Sequence, residues 1–431
     1  MYGPRRSFLK SLAALGGAFA TVPTLSGAGR FFDQLRAYEP ASPEELATDE
    51  DFWFYIQQAY SSSPNLVNLN NGGVCPQPRV VQEVIHTYNR VANEAPAYYM
   101  WRTLGRLREA VRSQLAELAG CSPAEIAIQR NATEALETVL FGLDLQPGQE
   151  VLTTDQDYPS MLNTLAQREK REGIKLTKIK IPVPCEDDEE IVRRFEAAIT
   201  PQTRVILLCH VINLTGQIMP VRKVCDMAHR HGIEVVVDGA HSFGQLDFRI
   251  PDLHCDYFGT SLHKWLSAPF GSGMLYVKEE KIPKLWPLYG YVEGEEEKII
   301  KFEHLGTRSF PIELGIGTAI DFHHGIGSAR KQARLRYLKN YWAQQVKDMP
   351  GVSFHTSLKD AYSCLIATVA VAGISAMDLS RRLLNEYQLF TIALTHEDFE
   401  GIRVTPNVYT SLKDLDRLVA AFDEITGELK R

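Results

Sequence analysis

Seven short apolar runs, separated by stretches with helical spacing, constrain the fold more than any other feature of the chain. They cover residues 125–129, 150–153, 175–181, 204–210, 234–238, 257–260 and 273–277. Runs such as Val235-Val236-Val237 and Ile206-Leu207-Leu208 are apolar at every position, so both faces of those strands must be covered. The stretches 78–92, 104–118, 133–143, 161–171 and 221–231 read as helices. In one of them Leu104, Leu107, Val111, Leu115 and Leu118 fall at helical spacing. Doubly buried strands alternating with helices predict an α/β architecture, a mostly parallel seven-stranded sheet flanked by helices. With 431 residues, 45% of them hydrophobic, the chain can fill such a core and a second one.

The pattern changes after about Gly315. A long helical segment spans 316–349, strands follow at 367–372 and 401–405, and a last helix begins near Ser411. Asp414 lies three residues on from Ser411 as a capping-box partner, and Leu415, Leu418, Val419 and Phe422 share one face. This end reads as a smaller C-terminal α+β domain at 316–431. A large domain occupies 66–315, and a segment at 29–65 with a helical patch at 52–60 precedes it.

Residues 1–28 read as an export signal. Arg5-Arg6-Ser7-Phe8-Leu9-Lys10 precedes a mildly apolar, Ala- and Gly-rich stretch, and Ser26-Gly27-Ala28 offers small residues for cleavage. The arginine pair resembles the twin-arginine signal. The stretch is too short and Gly-rich for a good spanning helix, so no stable membrane span is expected after its removal. That route carries folded proteins, which would let a cofactor be loaded before export to a periplasmic or extracytoplasmic home. The seven cysteines are scattered and form no C-x-x-C pair, so they read as buried free thiols. No zinc pattern is present, and no metal is expected. Net charge is −7 with no basic run, which argues against a nucleic-acid partner.

The chemistry concentrates at two strand ends. Glu234-Val-Val-Val-Asp238-Gly-Ala-His241 places a carboxylate just past one buried strand. Asp256-Tyr-Phe-Gly-Thr-Ser261-Leu-His263-Lys264-Trp265 places a lysine just past the next. In a parallel sheet both ends open on the ligand-binding edge. Alone, Asp238 would read as a helix cap and Lys264 as a loop charge. Together they suit pyridoxal 5'-phosphate (PLP): the carboxylate keeps the pyridine nitrogen protonated, and the lysine holds the aldehyde as a Schiff base and later moves the α-proton.

Val-Asp-Gly-Ala-His and Ser-Leu-His-Lys-Trp, followed by Gly271-Ser-Gly273, resemble the class V aminotransferase family of fold-type I PLP enzymes over roughly residues 65 to 425. Isopenicillin N epimerase-like proteins and cysteine desulfurases belong to that family. The resemblance implies phosphate contacts from Ala132, Thr133, Ser261 and His263, and ring stacking by Tyr158. It places Asn213 and His241 near the phenolic oxygen. It assigns Asn71, Asn213 and Arg403 to the substrate, with Arg403 forking onto a carboxylate. His304-Leu-Gly306-Thr307-Arg308 resembles the loop that reaches the neighbouring subunit's phosphate, which implies a homodimer with a shared site. Residues 385–402 contain no cysteine, which disfavours a persulfide-forming desulfurase.

The reading is therefore a PLP-dependent enzyme acting at the α-carbon of an amino acid or related amine. Lys264, Asp238 and Tyr158 are its catalytic candidates, and aminotransferase chemistry is the first expectation. An isopenicillin N epimerase-like epimerase or a C–S lyase is the alternative, and a non-catalytic PLP-fold binding protein is the alternative of another class.

Overall fold

The computed structural model describes residues 41–429; the export-signal reading falls outside them. The seven apolar runs form strands β1 (Ile126–Gln129), β2 (Glu150–Thr154), β3 (Lys175–Ile179), β4 (Thr203–Cys209), β5 (Glu234–Asp238), β6 (Tyr257–Ser261) and β7 (Gly273–Val277). They make one seven-stranded sheet in the order β1-β7-β6-β5-β4-β2-β3. The pairs β2–β3, β2–β4, β4–β5 and β5–β6 are parallel, and β7 runs antiparallel to both β1 and β6. Val235 and Val237 enter the core on one face of the sheet and Val236 the core on the other, as a strand period of two requires.

Helices cover both faces. They are α1 (Arg79–Glu94), α2 (Gly105–Ala119), α3 (Ala132–Gly142), α4 (Pro159–Glu172), α5 (Asp188–Ala198) and α6 (Val221–Arg230). The expected helix over 316–349 is two helices, α7 (Phe310–Ile326) and α8 (Ser328–Val346). Gly327 separates them with φ 92, a left-handed value that a helix interior does not accept. Helical spacing runs on across the break, so periodicity alone did not reveal it. The cores also divide at this glycine. Phe310, Leu314, Ile316, Ala319 and Ile320 of α7 pack into the large-domain core, whereas Leu335, Leu338 and Trp342 of α8 are fully buried further on.

The C-terminal part is α+β. A four-stranded antiparallel sheet contains β8 (Val352–Phe354), β9 (Ala367–Val371), β10 (Ile392–Thr395) and β11 (Glu400–Val404), in the order β10-β11-β9-β8. Helices α9 (Ala376–Tyr387) and α10 (Leu412–Leu429) accompany it. The capping box is present: Asp414 N donates to Ser411 Oγ, and Ser411 N donates to Asp414 Oδ2. β8, β10 and α9 were not read from the sequence.

The start of the described chain is tied into this part. Val67–Asn68 pairs in parallel with Leu389–Phe390, and Leu69 N donates to Phe390 O. Trp53 is fully buried, with the Arg334 guanidinium over its ring. Among the described residues no helix is long and apolar enough to cross a membrane.

Candidate active site

The C-terminal ends of β4, β5 and β6 open on one cavity of about 350 Å³, enough for a small organic ligand. Its walls include Thr133, Tyr158, Asn213, Asp238, His241, Lys264 and Arg403. The parallel register explains the convergence. Asp238 pairs with Cys209 of β4 and with Gly259 of β6, so the strand ends lie side by side. Gly239 lets the chain turn immediately after Asp238, because a Cβ there would lie 1.8 Å from Phe258 Cζ. Gly273 has a similar role beneath α3, where a Cβ would come within 2.6 Å of the Asn131 backbone.

Asp238 is 4% exposed, and its Oδ1 accepts from Ala240 N at 2.9 Å. Burial raises its pKa to about 6, against the Ala240 N–H and Lys264, with Asp157 adding to the rise. Burial lowers Lys264 to about 8; Asp238 opposes that shift and Arg403 reinforces it. Lys264 Nζ lies 3.0 Å from His241 Nε2. Burial, then the Lys264 and Arg403 charges, hold His241 well below the ordinary histidine range, so the neutral ring accepts from the ammonium.

At the other end of the cavity, α3 presents its N-terminus. Asn131 caps it, its Oδ1 accepting from Glu134 N at 2.9 Å. Ala132, expected at the phosphate, lines this end of the cavity, and its N donates to Ser261 Oγ at 2.9 Å. Thr133 on this helix end, which suits an anion, and Ser261 at the end of β6 both line the cavity. His263 lines the same cavity, and its Nδ1 donates to Ser272 O at 3.1 Å.

On the substrate side, Arg403 of β11 is 6% exposed. Its Nη1 donates to Asn213 O at 2.9 Å and its Nη2 to Asn70 Oδ1 at 3.1 Å. Asn71 does not line the cavity. Its amide accepts from Asn68 and Tyr409 and donates to Asn68 O and Thr405 O. The substrate-side expectation thus moves from Asn71 to its neighbours: Asn70 braces Arg403, and Gly72 and Gly73 form the wall. A Cβ on Gly72 would lie 3.2 Å from the Arg403 guanidinium carbon. Thr307 is exposed on its loop and is not among the lining residues of its own chain.

Sequence reasoning assigned no role to Asp157 or Cys209. Cys209 lines the cavity, and Asp157 lies behind it with Oδ1 accepting from Cys209 N at 2.6 Å. All seven cysteines are free. The cavity fits PLP on its own chemistry. Three buried polar atoms of lining residues, His241 Nδ1, Asn213 Oδ1 and Arg403 Nε, have no partner among the described residues, and a helix N-terminus stands at the far end. Buried groups of this kind are normally satisfied, so their presence suits a polar ligand.

Fold and site together define a PLP-dependent enzyme of fold type I. The chain belongs to the aminotransferase class-V family, whose model matches residues 67–396. It is similar to isopenicillin N epimerase of Streptomyces clavuligerus, 30% identical over 382 residues that cover 85% of this chain and 96% of that one. It is also similar to a probable cysteine desulfurase of Halalkalibacterium halodurans, 29% identical over 71% of this chain and 78% of the other. Among solved structures, the C–S lyase C-DES with glycine covalently linked to its PLP cofactor superposes with a TM-score of 0.78. That match is 22% identical and covers 85% of this chain and 99% of that one; it is a likeness of fold.

Proposed function

We propose that this enzyme removes and returns the α-proton of an amino acid and inverts the α-carbon. The observation that carries the proposal is the pairing of two proton-carrying side chains across the cavity. Lys264 Nζ lies 5.9 Å from the centroid of the Tyr158 ring, and the Tyr158 phenol is within electrostatic reach of Arg403. When bound, PLP supplies the electron sink that makes the α-proton removable.

The chain's own residues do the rest. Arg403, braced by Asn213 O and Asn70, binds the substrate carboxylate and fixes which bond faces Lys264. Lys264, with its pKa near 8, gains and loses a proton close to neutrality, as a general base must. His241 orients it by accepting from Nζ. Asp238 holds a proton at the ring nitrogen. Tyr158 delivers a proton to the face opposite Lys264. The likeness to isopenicillin N epimerase supports inversion over transamination as the outcome. The β10–β11 connection carries no cysteine, so persulfide formation is not part of the proposal.

Holoenzyme incubated with L- and D-amino acids in deuterated water tests this reading. Inversion with one deuteron gained at the α-carbon, and no keto acid, is expected. Keto acid would make it a transaminase; ammonia or sulfide would make it a lyase. Tyr158→Phe is expected to keep α-proton exchange within about twofold of the parent while inversion falls roughly 100-fold. Equal inversion rates in parent and variant would remove Tyr158 from the mechanism.

We further propose that a second copy of the chain completes the phosphate end through Thr307. Its loop has a rigid base: Arg308 donates to Glu303 O at 2.7 Å and Ile128 O at 3.0 Å, and it pairs with Glu313. The Glu303 carboxylate is in turn held by Arg112 at 2.6 Å and Arg108 at 2.7 Å. Thr307→Ala is expected to weaken PLP retention about tenfold, the worth of one hydrogen bond to a charged group. A monomeric holoenzyme in solution, or unchanged retention, would contradict this.

A further inference from the structure

Asp157 is absent from the cavity wall, yet it is the most heavily hydrogen-bonded carboxylate near it. The residue is 2% exposed. Its Oδ2 accepts from Thr153 Oγ1 at 2.8 Å, Thr154 N at 2.9 Å and Thr154 Oγ1 at 2.8 Å, and its Oδ1 accepts from Cys209 N at 2.6 Å. Thr153 and Thr154 end β2, and Cys209 ends β4. One side chain therefore ties two strand ends together at the edge where the site opens. Its four donors belong to neutral groups and favour the ionised carboxylate; burial opposes them and raises its pKa.

Two neighbours connect this clamp to the chemistry. Cys209 is the register partner of Asp238, so Asp157 stands one strand behind the Asp238 carboxylate. Tyr158 follows Asp157 directly, caps α4 and lines the cavity. In its ionised form the Asp157 carboxylate disfavours ionised Asp238 alone. It favours a cation paired with Asp238, because the pair is neutral and the field acts on its proton.

We propose that Asp157 is a positioning residue with an electrostatic task. It clamps the ends of β2 and β4 so that Tyr158 stands over the cofactor ring, and its charge behind Asp238 tightens the proton held between Asp238 and the ring nitrogen. This rests on the roles given above to Asp238 and Lys264. The groups facing Lys264 include Asp238, His241, His263, Arg403, Tyr158, Cys209 and Cys75, and those facing Asp238 include Lys264, Asp157 and Cys209. Removing the Asp157 charge leaves the others in place and makes the pocket more positive.

The test is a pH titration of the absorption band of the Lys264–PLP linkage in reconstituted holoenzyme. Asp157→Asn is expected to lower the midpoint by about one pH unit, a tenfold change in proton affinity, and to weaken PLP retention. Thr153→Val removes one donor and keeps the charge, so its midpoint is expected to match the parent's within about 0.2 unit, a small fraction of the tenfold step. Asp157→Ser removes the charge with a smaller side chain and gives the same comparison if the Asn variant does not fold. A parent-like midpoint in the charge-removed variants, or an equal shift in Thr153→Val, overturns the proposal. A parent protein with no linkage band that depends on Lys264 overturns the underlying assignment instead, so the two failures are distinguishable.

Discussion

Lys264→Ala is expected to abolish turnover, with a loss of at least about 1,000-fold, because two separate functions sit on one amine. In the proposed mechanism the amine holds the cofactor aldehyde and also acts as the base, 3.0 Å from a neutral histidine that fixes its direction. Loss of the first function removes the visible band that borohydride would otherwise bleach. Loss of the second leaves α-proton exchange without its base, even with PLP held by Asp238 and the phosphate end. The variant should still fold. In the cofactor-free protein burial lowers Lys264 to about 8, so its charge destabilises the fold at neutral pH. That cost fades as pH rises from about 8 towards 10.5, where the unfolded chain also loses the proton. Cofactor-free Lys264→Ala should therefore melt no lower than the parent at pH 7, while its α-proton exchange in deuterated water falls to background. Exchange at a parental rate would show that another group is the base.

The sequence makes the sheet legible because strand burial is a local property. Val235, Val236 and Val237 face alternate cores, and a run apolar at every position can satisfy both only as a covered strand. The Asp238–Lys264 pair is legible for a related reason: parallel neighbours end on the same edge. What escaped is non-local. Asn71 looked like a substrate contact beside Gly72, but its amide is engaged by Thr405 O, 334 residues away. Arg403 needs Asn70, which reaches it only through the pairing of the N-terminal segment with the small domain. Asp157 precedes Tyr158 in the chain, yet its one distant partner is the backbone of Cys209, which carries no side-chain signal. The β10 strand is only four residues long and partly exposed along its length, so its short apolar run Ile392-Ala393-Leu394 does not mark a covered strand. The placement of side chains at strand ends was readable; contacts that depend on which backbone group a side chain meets across the fold were not.

Asp238→Asn tests the electronic half of the site, and the expected loss is roughly 100- to 10,000-fold in turnover with the linkage to Lys264 still formed. An amide fills the same space, 4% exposed, and can still accept from Ala240 N. It could not carry the negative charge that would pair with a protonated ring nitrogen, so bound PLP would be a poor electron sink. The pH dependence follows from the same group. Burial raises Asp238 in the cofactor-free protein to about 6, so the folded state holds this proton more tightly than the unfolded chain does. The protonated carboxyl therefore favours the fold at low pH, and that advantage is lost as pH rises from about 4 to about 6. Asn mimics the uncharged form at every pH. The cofactor-free variant should accordingly match the parent's melting temperature near pH 4 and exceed it at pH 7, while the holoenzyme ordering reverses because only the parent gains the charged pair with PLP. Melting curves of both proteins at the two pH values, with and without PLP, read this crossing directly. A variant that stays below the parent in all four conditions would mean that Asp238 serves the fold rather than the ring nitrogen.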